Sequence, residues 1–315
     1  MPKKPEKSKT SPFDSTRFLL LMLFVLVMFI SWSIFFAPQK VTSVPVNIVP
    51  EKPVVTVEVK NPVPQLKSPT ASASAITAQS YYAIDVKTGT QLLAKREEEP
   101  QLPASTTKMA TALVAMSYYK PDDVLTVGQI TTGGHKMGLV YGEQISVKDL
   151  LYGLLVFSGN DAAEVLAQNY PGGRGGFVAA MNNLVKKLRL ASTHFTNPAG
   201  FDEYLHFSSS LDLVTIAMYG MDNPLFAQIV GTKNYRITSA DGKIMHRVEN
   251  TNRLIDKMPG ILGVKTGWTE NSGQDLVTLY ERDEHRVMLA VLGSTDRFGE
   301  TQTLLNWIFD NYEWR

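Results

Sequence analysis

From about residue 76 onward the chain places strand signals at both ends and helix signals between them, and that order constrains its fold most. Alternation in SYYAIDV (80–86), the turn KTG and then TQLLAKR predict an antiparallel hairpin. A longer hairpin is predicted in DLVTLYERDEHRVMLAVLG (275–293), and a small one around Asp241-Gly242 in NYRITSADGKIMHRV. Between the first hairpin and the long one, apolar residues recur at helical spacing. One such run extends from Ser105 to Tyr119 and is stopped by Pro121. SVKDLLYGLLVF follows, with Ser146 and Asp149 resembling a capping box, and after an SGN break DAAEVLAQNY resumes the helical pattern until PGGRGG. FVAAMNNLVKKL, SSSLDLVTIAMYG and the terminal GETQTLLNWIFDNY are further helices. Hairpins so far apart in sequence satisfy each other by sharing one sheet, so an α+β fold is expected: a single domain, 76–315, with an antiparallel sheet flanked by helices.

The segments before that domain have a different character. Residues 1–17 form a basic tail with Lys3, Lys4, Lys7, Lys9 and Arg17, followed by an uncharged apolar run from Phe18 to Phe36. Nineteen residues at helical rise span about 28 Å, close to the hydrocarbon core of a bilayer. Basic residues ahead of the run predict a single-pass anchor with its N-terminus in the cytoplasm and the rest of the chain exported. A cleaved signal peptide, with Ser31 and Ser33 forming a small-x-small site after a shorter apolar stretch, is the competing reading. Residues 37–75 contain seven prolines and end in SPTASASA, which predicts an extended extracytoplasmic spacer with a reach on the order of 100 Å.

Composition then removes several chemistries. The 31 basic and 30 acidic residues nearly cancel, and no basic stripe with interleaved aromatics gives an argument for nucleic acid. Without cysteine there is no thiol nucleophile, disulfide or cysteine-ligated zinc, and the five histidines lack metal-ligand spacing. Neither a metal nor a cofactor is expected.

What remains is serine chemistry. Nucleophilic catalysis by serine needs a base within hydrogen-bond reach, a proton donor for the leaving group and donors for the oxyanion. Ser105 and Lys108 lie three apart at a helix start, on one face and near the positive end of the helix dipole. The same Ser-x-x-Lys spacing recurs at Ser117 and Lys120, at the other end of that helix, so the pattern alone decides nothing. Two further triplets do: SGN at 158–160, in a break between helices, and KTG at 265–267, after the strand signal GILGV. Gly267 there would let a substrate backbone lie against the strand. An earlier KTG, at 87–89, falls in a hairpin turn and reads as turn chemistry.

In the order Ser-x-x-Lys, Ser-x-Asn, Lys-Thr-Gly, the set resembles the penicillin-recognising serine acyltransferases. PASTTKMATALV, LLYGLLVFSGNDAAEVLA, THFTNPAGFD and GVKTGWT look more narrowly like the D-alanyl-D-alanine carboxypeptidases of the S11 type, over about 78–312. The resemblance implies a β-lactamase/transpeptidase-like fold and removal of the terminal D-alanine from peptidoglycan stem peptides, with β-lactams as acylating inhibitors. It implies Ser105 as nucleophile, Lys108 as base, Ser158 as proton donor to the leaving group and Asn160 as the residue holding Lys108 and substrate. Lys265 and Thr266 would bind the terminal carboxylate, and burial together with the nearby Lys265 would lower the Lys108 pKa. Gly267 and Thr269 would line the same strand, and Ser105 and Trp268 would give main-chain N–H groups to the oxyanion. Arg297 is open between a carboxylate anchor and a surface salt bridge, and His194 in THFTNPAGFD is expected to be packed or hydrogen-bonded. A β-lactamase is disfavoured because Glu164 lies only four residues past Asn160. Cutting of peptidoglycan cross-links by an endopeptidase and an inert wall-binding scaffold remain alternatives. Relatives with a second, β-rich domain and a C-terminal amphipathic helix would find no room for either after NYEWR, so anchoring is expected at the N-terminus.

Overall fold

The two hairpins expected at opposite ends of the domain do share a sheet. β2 (Ser80–Asp85) and β3 (Gln91–Lys95) form the first, and β9 (Gly273–Arg282) and β10 (His285–Ser294) the second. With β8 (Ile261–Thr269) they make an all-antiparallel, five-stranded sheet in the order β3-β2-β10-β9-β8, which leaves β8 on an edge. Asp283 and Glu284, both at positive φ, form the two-residue turn between β9 and β10 that matches the twist of the pair.

This computed structural model describes residues 63–68 and 76–315, together with Met22 and Met28. Apart from Met22 and Met28, the expected membrane span at 18–36 lies outside the described residues, as does most of the expected spacer. No helix among the described residues is long and apolar enough to cross a membrane. Everything below concerns the unit Val59–Arg315.

The unbroken apolar run in β10 is buried on both faces, and its alternate side chains enter different cores. Val287, Leu289 and Val291 pack with Leu304, Leu305 and Ile308 of α8 (Arg297–Asn311). Met288, Ala290 and Leu292 face the larger core built by α1 (Lys108–Tyr118), α2 (Val147–Leu155), α3 (Asn160–Gln168), α4 (Gly173–Lys187), α5 (Ser210–Met221) and α6 (Pro224–Val230). The sheet therefore separates α8 and the short helical turn Leu254–Lys257 from a bundle of six. The expected α+β architecture is what the chain adopts.

Several boundaries differ from expectation for local reasons. α1 begins at Lys108, not Ser105, because Ala104–Thr107 form a 3-10 turn entered through a left-handed Ala104 at φ 44°. α4 takes in GRGG, which reads as a breaker. A side chain at Gly176 would meet the Pro171 carbonyl at 2.1 Å, so glycine lets this helix start against its own entry turn. α6 is a helix the periodicity does not reveal; Asn223 caps it, accepting from the N–H groups of Leu225 and Phe226, and proline stands at its start. Ser146 caps α2 as expected, accepting from Asp149 N–H. α7 (Leu254–Lys257) is a single turn before β8.

Three small strand pairs complete the unit. β4 (Val124–Thr126) pairs with β5 (Gln144–Ser146), and β6 (Asn234–Thr238) pairs with β7 (Met245–Glu249) in the hairpin expected around Asp241-Gly242. The chain does not end on its last helix: β11 (Tyr312–Trp314) pairs with β1 (Pro64–Leu66), inside the stretch expected as spacer. Tyr312 donates to the Leu92 carbonyl and the Trp314 indole to Asp85, so the pair is fastened to the first hairpin.

Candidate active site

The turn carrying Ser105 lies between β8 and the loop 197–201. Gly267 is the reason it fits against the strand, since a side chain there would come within 3.0 Å of the Pro103 carbonyl and 3.2 Å of Ala104 Cβ. Glycine here thus permits a close approach of the turn to the strand. On the other side Gly200, at φ +88°, brings the loop against the turn; a Cβ there would stand 1.9 Å from the Ala104 carbonyl. Asn197, fully buried, shapes that loop by accepting the N–H groups of Ala199, Gly200 and Phe201. As a result the Ala199 carbonyl points at Lys108.

Lys108 is fully buried, and its Nζ stands 2.8 Å from Ser105 Oγ, 2.8 Å from Asn160 Oδ1 and 2.6 Å from the Ala199 carbonyl. Two of these three partners can only accept. Once the ammonium loses a proton, its two remaining N–H bonds are claimed by Asn160 and Ala199, and the lone pair is aimed at the Ser105 hydroxyl. Burial pushes the amine down to about 7, against the opposing pull of the Asp161 carboxylate. Lys265 is buried too, with Nζ donating to the Thr266 carbonyl at 3.0 Å. Its pKa is driven well below the usual lysine value by burial first, then by repulsion from Lys108 and Arg297. Burial leads both shifts, as expected for Lys108, and the two buried amines repel one another.

Asn160 is held from both ends of its side chain. Its Nδ2 donates to the Gly133 carbonyl and its backbone N–H to the His135 carbonyl, so the amide oxygen can face only Lys108. Asp161, almost fully buried, accepts the N–H groups of Met137, Gly138 and Leu139, which folds the 133–139 loop over the SGN segment. Ser158 sits in that segment with φ 68°, a left-handed conformation that serine rarely takes, and its hydroxyl forms no hydrogen bond among the described residues.

The remaining expected residues divide. Trp268, 63% exposed, and Thr269 line a cleft of about 590 Å³ together with Ser105, Asn160, His135 and Phe201. Thr269 is oriented by its hydroxyl, which donates to Asp202 at 2.9 Å. Thr266 is turned toward Thr251, with the two hydroxyls 2.7 Å apart. Arg297, at the first position of α8, donates to the Gly267 carbonyl at 2.6 Å, and no surface salt bridge engages it among the described residues. Ser117 and Lys120 take no part, nor does the KTG at 87–89. His194 is hydrogen-bonded, its Nδ1 donating to the Leu205 carbonyl.

Asp161, Asn197, His206 and Asp275 are the residues that sequence reasoning missed. His206 Nδ1 accepts the Thr196 N–H, which leaves its Nε2–H to donate to Thr107 beside Lys108; burial lowers its pKa to about 4, so it stays neutral. The available signal was weak: Asp161 directly follows SGN, and Asn197 lies within the quoted THFTNPAGFD, but nothing in the pattern gives their partners.

The sequence profile of the D-alanyl-D-alanine carboxypeptidase family, peptidase S11, matches residues 67–296. The chain belongs to that family. It is 32% identical over 247 residues to the D-alanyl-D-alanine carboxypeptidase DacF of Bacillus subtilis and 34% identical over 256 residues to DacA of Haemophilus influenzae. The match covers 75% and 76% of this chain but 63% of each relative, so the chain spans just under two thirds of their length. Among solved structures, the DD-transpeptidase of Streptomyces K15 superposes with a TM-score of 0.72 at 30% identity, covering 76% of this chain and all of the other. A D-alanyl-D-alanine carboxypeptidase of Mycobacterium tuberculosis gives 0.73 at 29% identity, over 78% of this chain and 96% of that one.

Proposed function

We propose that the protein is a serine-type D-alanyl-D-alanine carboxypeptidase, acting on the terminal D-alanine of peptidoglycan pentapeptide stems. The observation that carries this reading is the fixed aim of Lys108 at Ser105, enforced by Asn160 and the Ala199 carbonyl. With its pKa at about 7, Lys108 is uncharged in a large fraction of molecules at neutral pH and can take the hydroxyl proton as Ser105 Oγ bonds to the penultimate carbonyl carbon. The carbonyl oxygen gathers negative charge where the N–H groups of Ser105 and Trp268 would meet it. The C–N bond then breaks, and the departing amine takes a proton through Ser158, whose hydroxyl is otherwise uncommitted. An ester on Ser105 remains. Water cleaves it, with Lys108 again accepting a proton and returning one to Ser105.

At the carboxylate end of the substrate, the Lys265 amine and the Arg297 guanidinium, which donates to the Gly267 carbonyl, would offer N–H donors, and Thr266 and Thr269 would offer hydroxyls along the same strand. β8 is an edge strand, so an extended peptide can pair with it as the substrate lies down. The same serine would be acylated by β-lactams. The apolar run 18–36 supports an anchor in the cytoplasmic membrane with the catalytic unit outside, a reading that fractionation of full-length and run-deleted protein tests.

Mass spectrometry of pentapeptide muropeptides after incubation with the full chain, beside a Ser105→Ala control, tests the reaction. Loss of one D-alanine only in the active protein is the expected result. Cleavage of cross-linked dimers instead would make it an endopeptidase, and no product from a folded protein would leave a wall-binding scaffold.

A further inference from the structure

Two arginines face each other directly across the β6–β7 hairpin. Arg236 and Arg247 are register partners, both exposed on the same face, and neither has an ion-pair partner among the described residues. Like charges in directly opposed positions of an antiparallel pair destabilise it. Together with Asn234, Tyr235 and Phe157, and with Glu249 at the end beside Asn234, they line a groove of about 570 Å³.

That groove is built into the catalytic framework. Tyr235 stacks on Tyr152 of α2 with centroids 3.5 Å apart, fixing the hairpin to the helix that leads into the SGN segment. Just beyond β7, the Thr251 N–H donates to the Val156 carbonyl, and the Thr251 hydroxyl meets Thr266 of the KTG strand. Phe157 immediately precedes Ser158 and stacks on His135 with centroids 4.2 Å apart. His135 lines the Ser105 cleft and Phe157 lines the arginine groove, so the two cavities share one aromatic wall.

We propose that the Arg236–Arg247 pair is a carboxylate-binding subsite for an acidic segment of the substrate peptide upstream of the scissile bond. This deepens the D-alanyl peptidase reading and rests on it. Two guanidinium forks, side by side and without internal partners, match carboxylate oxygens in geometry and charge. An extended peptide acylating Ser105 would bring its upstream carboxylates to the arginines across the His135–Phe157 wall. The repulsion that the empty pair suffers would then be relieved on binding. Glu249, at the mouth of the same groove, would bias against a segment with too many carboxylates.

The test uses two synthetic peptides ending in D-Ala-D-Ala, one with two free carboxylates upstream and one with both amidated, and a third, short N-acetylated peptide that cannot reach the groove. The full chain should show a KM about fivefold lower for the acidic peptide than for the amidated one, at equal kcat. The preference should shrink with added salt. In the Arg236→Ala/Arg247→Ala variant it should vanish while turnover of the short peptide stays unchanged. Binding of the acidic peptide to the Ser105→Ala protein, followed by fluorescence anisotropy, should weaken by the same factor when the arginine changes are added. Equal KM values in the unmodified protein, or a preference that survives the double variant, would overturn the proposal. If even the short peptide is neither bound nor cleaved, the peptidase reading itself fails and takes this inference with it.

Discussion

One helix carries the same four-residue pattern at both of its ends, and the two copies have opposite fates. At the first, Lys108 is sealed from solvent between Ser105, Asn160 and the Ala199 carbonyl. At the second, Ser117 spends its hydroxyl on the Val114 carbonyl of its own helix, and Lys120 stands exposed. A second duplication repeats the lesson. Thr88 of the first KTG is tied by both its N–H and its hydroxyl to Asp85 within a tight turn, while Lys87 is exposed. Lys265 of the second KTG is buried on a strand. In each case the spacing is the same, and what differs is the acceptors and burial supplied by distant segments.

The largest effects should therefore separate the two Ser-x-x-Lys copies. Ser105→Ala and Lys108→Ala are each expected to lower kcat/KM for a D-alanyl-D-alanine peptide by roughly 10⁴-fold or more. Ser117→Ala and Lys120→Ala should leave it within about twofold. Acylation by a fluorescent penicillin, read on a gel, gives the same ranking without turnover. A loss of labelling in the second copy equal to that in the first would erase the distinction.

The KTG copies come next. Lys265→Ala should reduce kcat/KM by about 10²- to 10³-fold, because on the proposed reading this buried amine meets the substrate carboxylate. Lys87→Ala, on an exposed turn, should change neither kinetics nor thermal midpoint measurably.

These pairs also mark how far the sequence was legible. The sheet and most of the helices followed from period-two and helical patterns, because both report burial of nearby side chains on one face. Ser105, Lys108, Asn160, Trp268 and Thr269 could be chosen because their motifs are local; four of them line one cleft, and the buried Lys108 bonds Ser105 and Asn160. What could not be read were contacts made by loops. The Ala199 carbonyl acts through its main chain, which has no residue signature, and Asn197 works by accepting three N–H groups whose positions depend on the whole loop. Likewise Ala104 takes a left-handed conformation that alanine does not advertise, and it is this that moved the α1 start from Ser105 to Lys108. The strand pair β1–β11 joins residues almost the full domain apart, and three-residue strands leave no periodicity to detect.

The pH dependence sharpens the first comparison. Lys108 must be neutral to act as base, so kcat/KM should rise with pH and reach half its limiting value near pH 7. Restoring solvent to the amine should move that limb upward. Asn160→Ala removes one acceptor and opens the pocket, and is expected to shift it toward the ordinary lysine range as well as lower the plateau. A profile centred near pH 10 in the unmodified protein would mean that Lys108 is not the titrating base.

The smallest effect concerns the aspartate that accompanies each KTG. Asp85, beneath the first, has both oxygens satisfied: Thr88 donates to Oδ2 and the Trp314 indole to Oδ1. Asp275, directly opposite Gly267 of the second, accepts the Gly293 N–H on Oδ1, while its buried Oδ2 has no partner among the described residues. Burial pushes the Asp275 carboxyl up to about 8, against the Gly293 N–H and Arg297, which pull it down. An unfolded aspartate ionises near 3.9. Between those values the native state holds a proton that the unfolded state has lost, so this group makes stability fall as pH rises from about 4 to 8 and adds no further slope above. Asp275→Asn keeps an acceptor for Gly293 and cannot ionise. Its thermal midpoint should exceed that of the unmodified protein by a few °C at pH 9, about 2–4 °C per kcal/mol for a domain of this size, with the difference closing toward pH 4. Asp85→Asn should behave oppositely, because it sets an amide N–H₂ or loses an acceptor where donors already converge. It is expected to lower the midpoint throughout that pH range, by the roughly 1–3 kcal/mol typical of a buried group left unsatisfied. Differential scanning calorimetry of both variants at pH 5 and 9 separates the two aspartates, and a parallel response would mean that the unpartnered oxygen of Asp275 carries no proton.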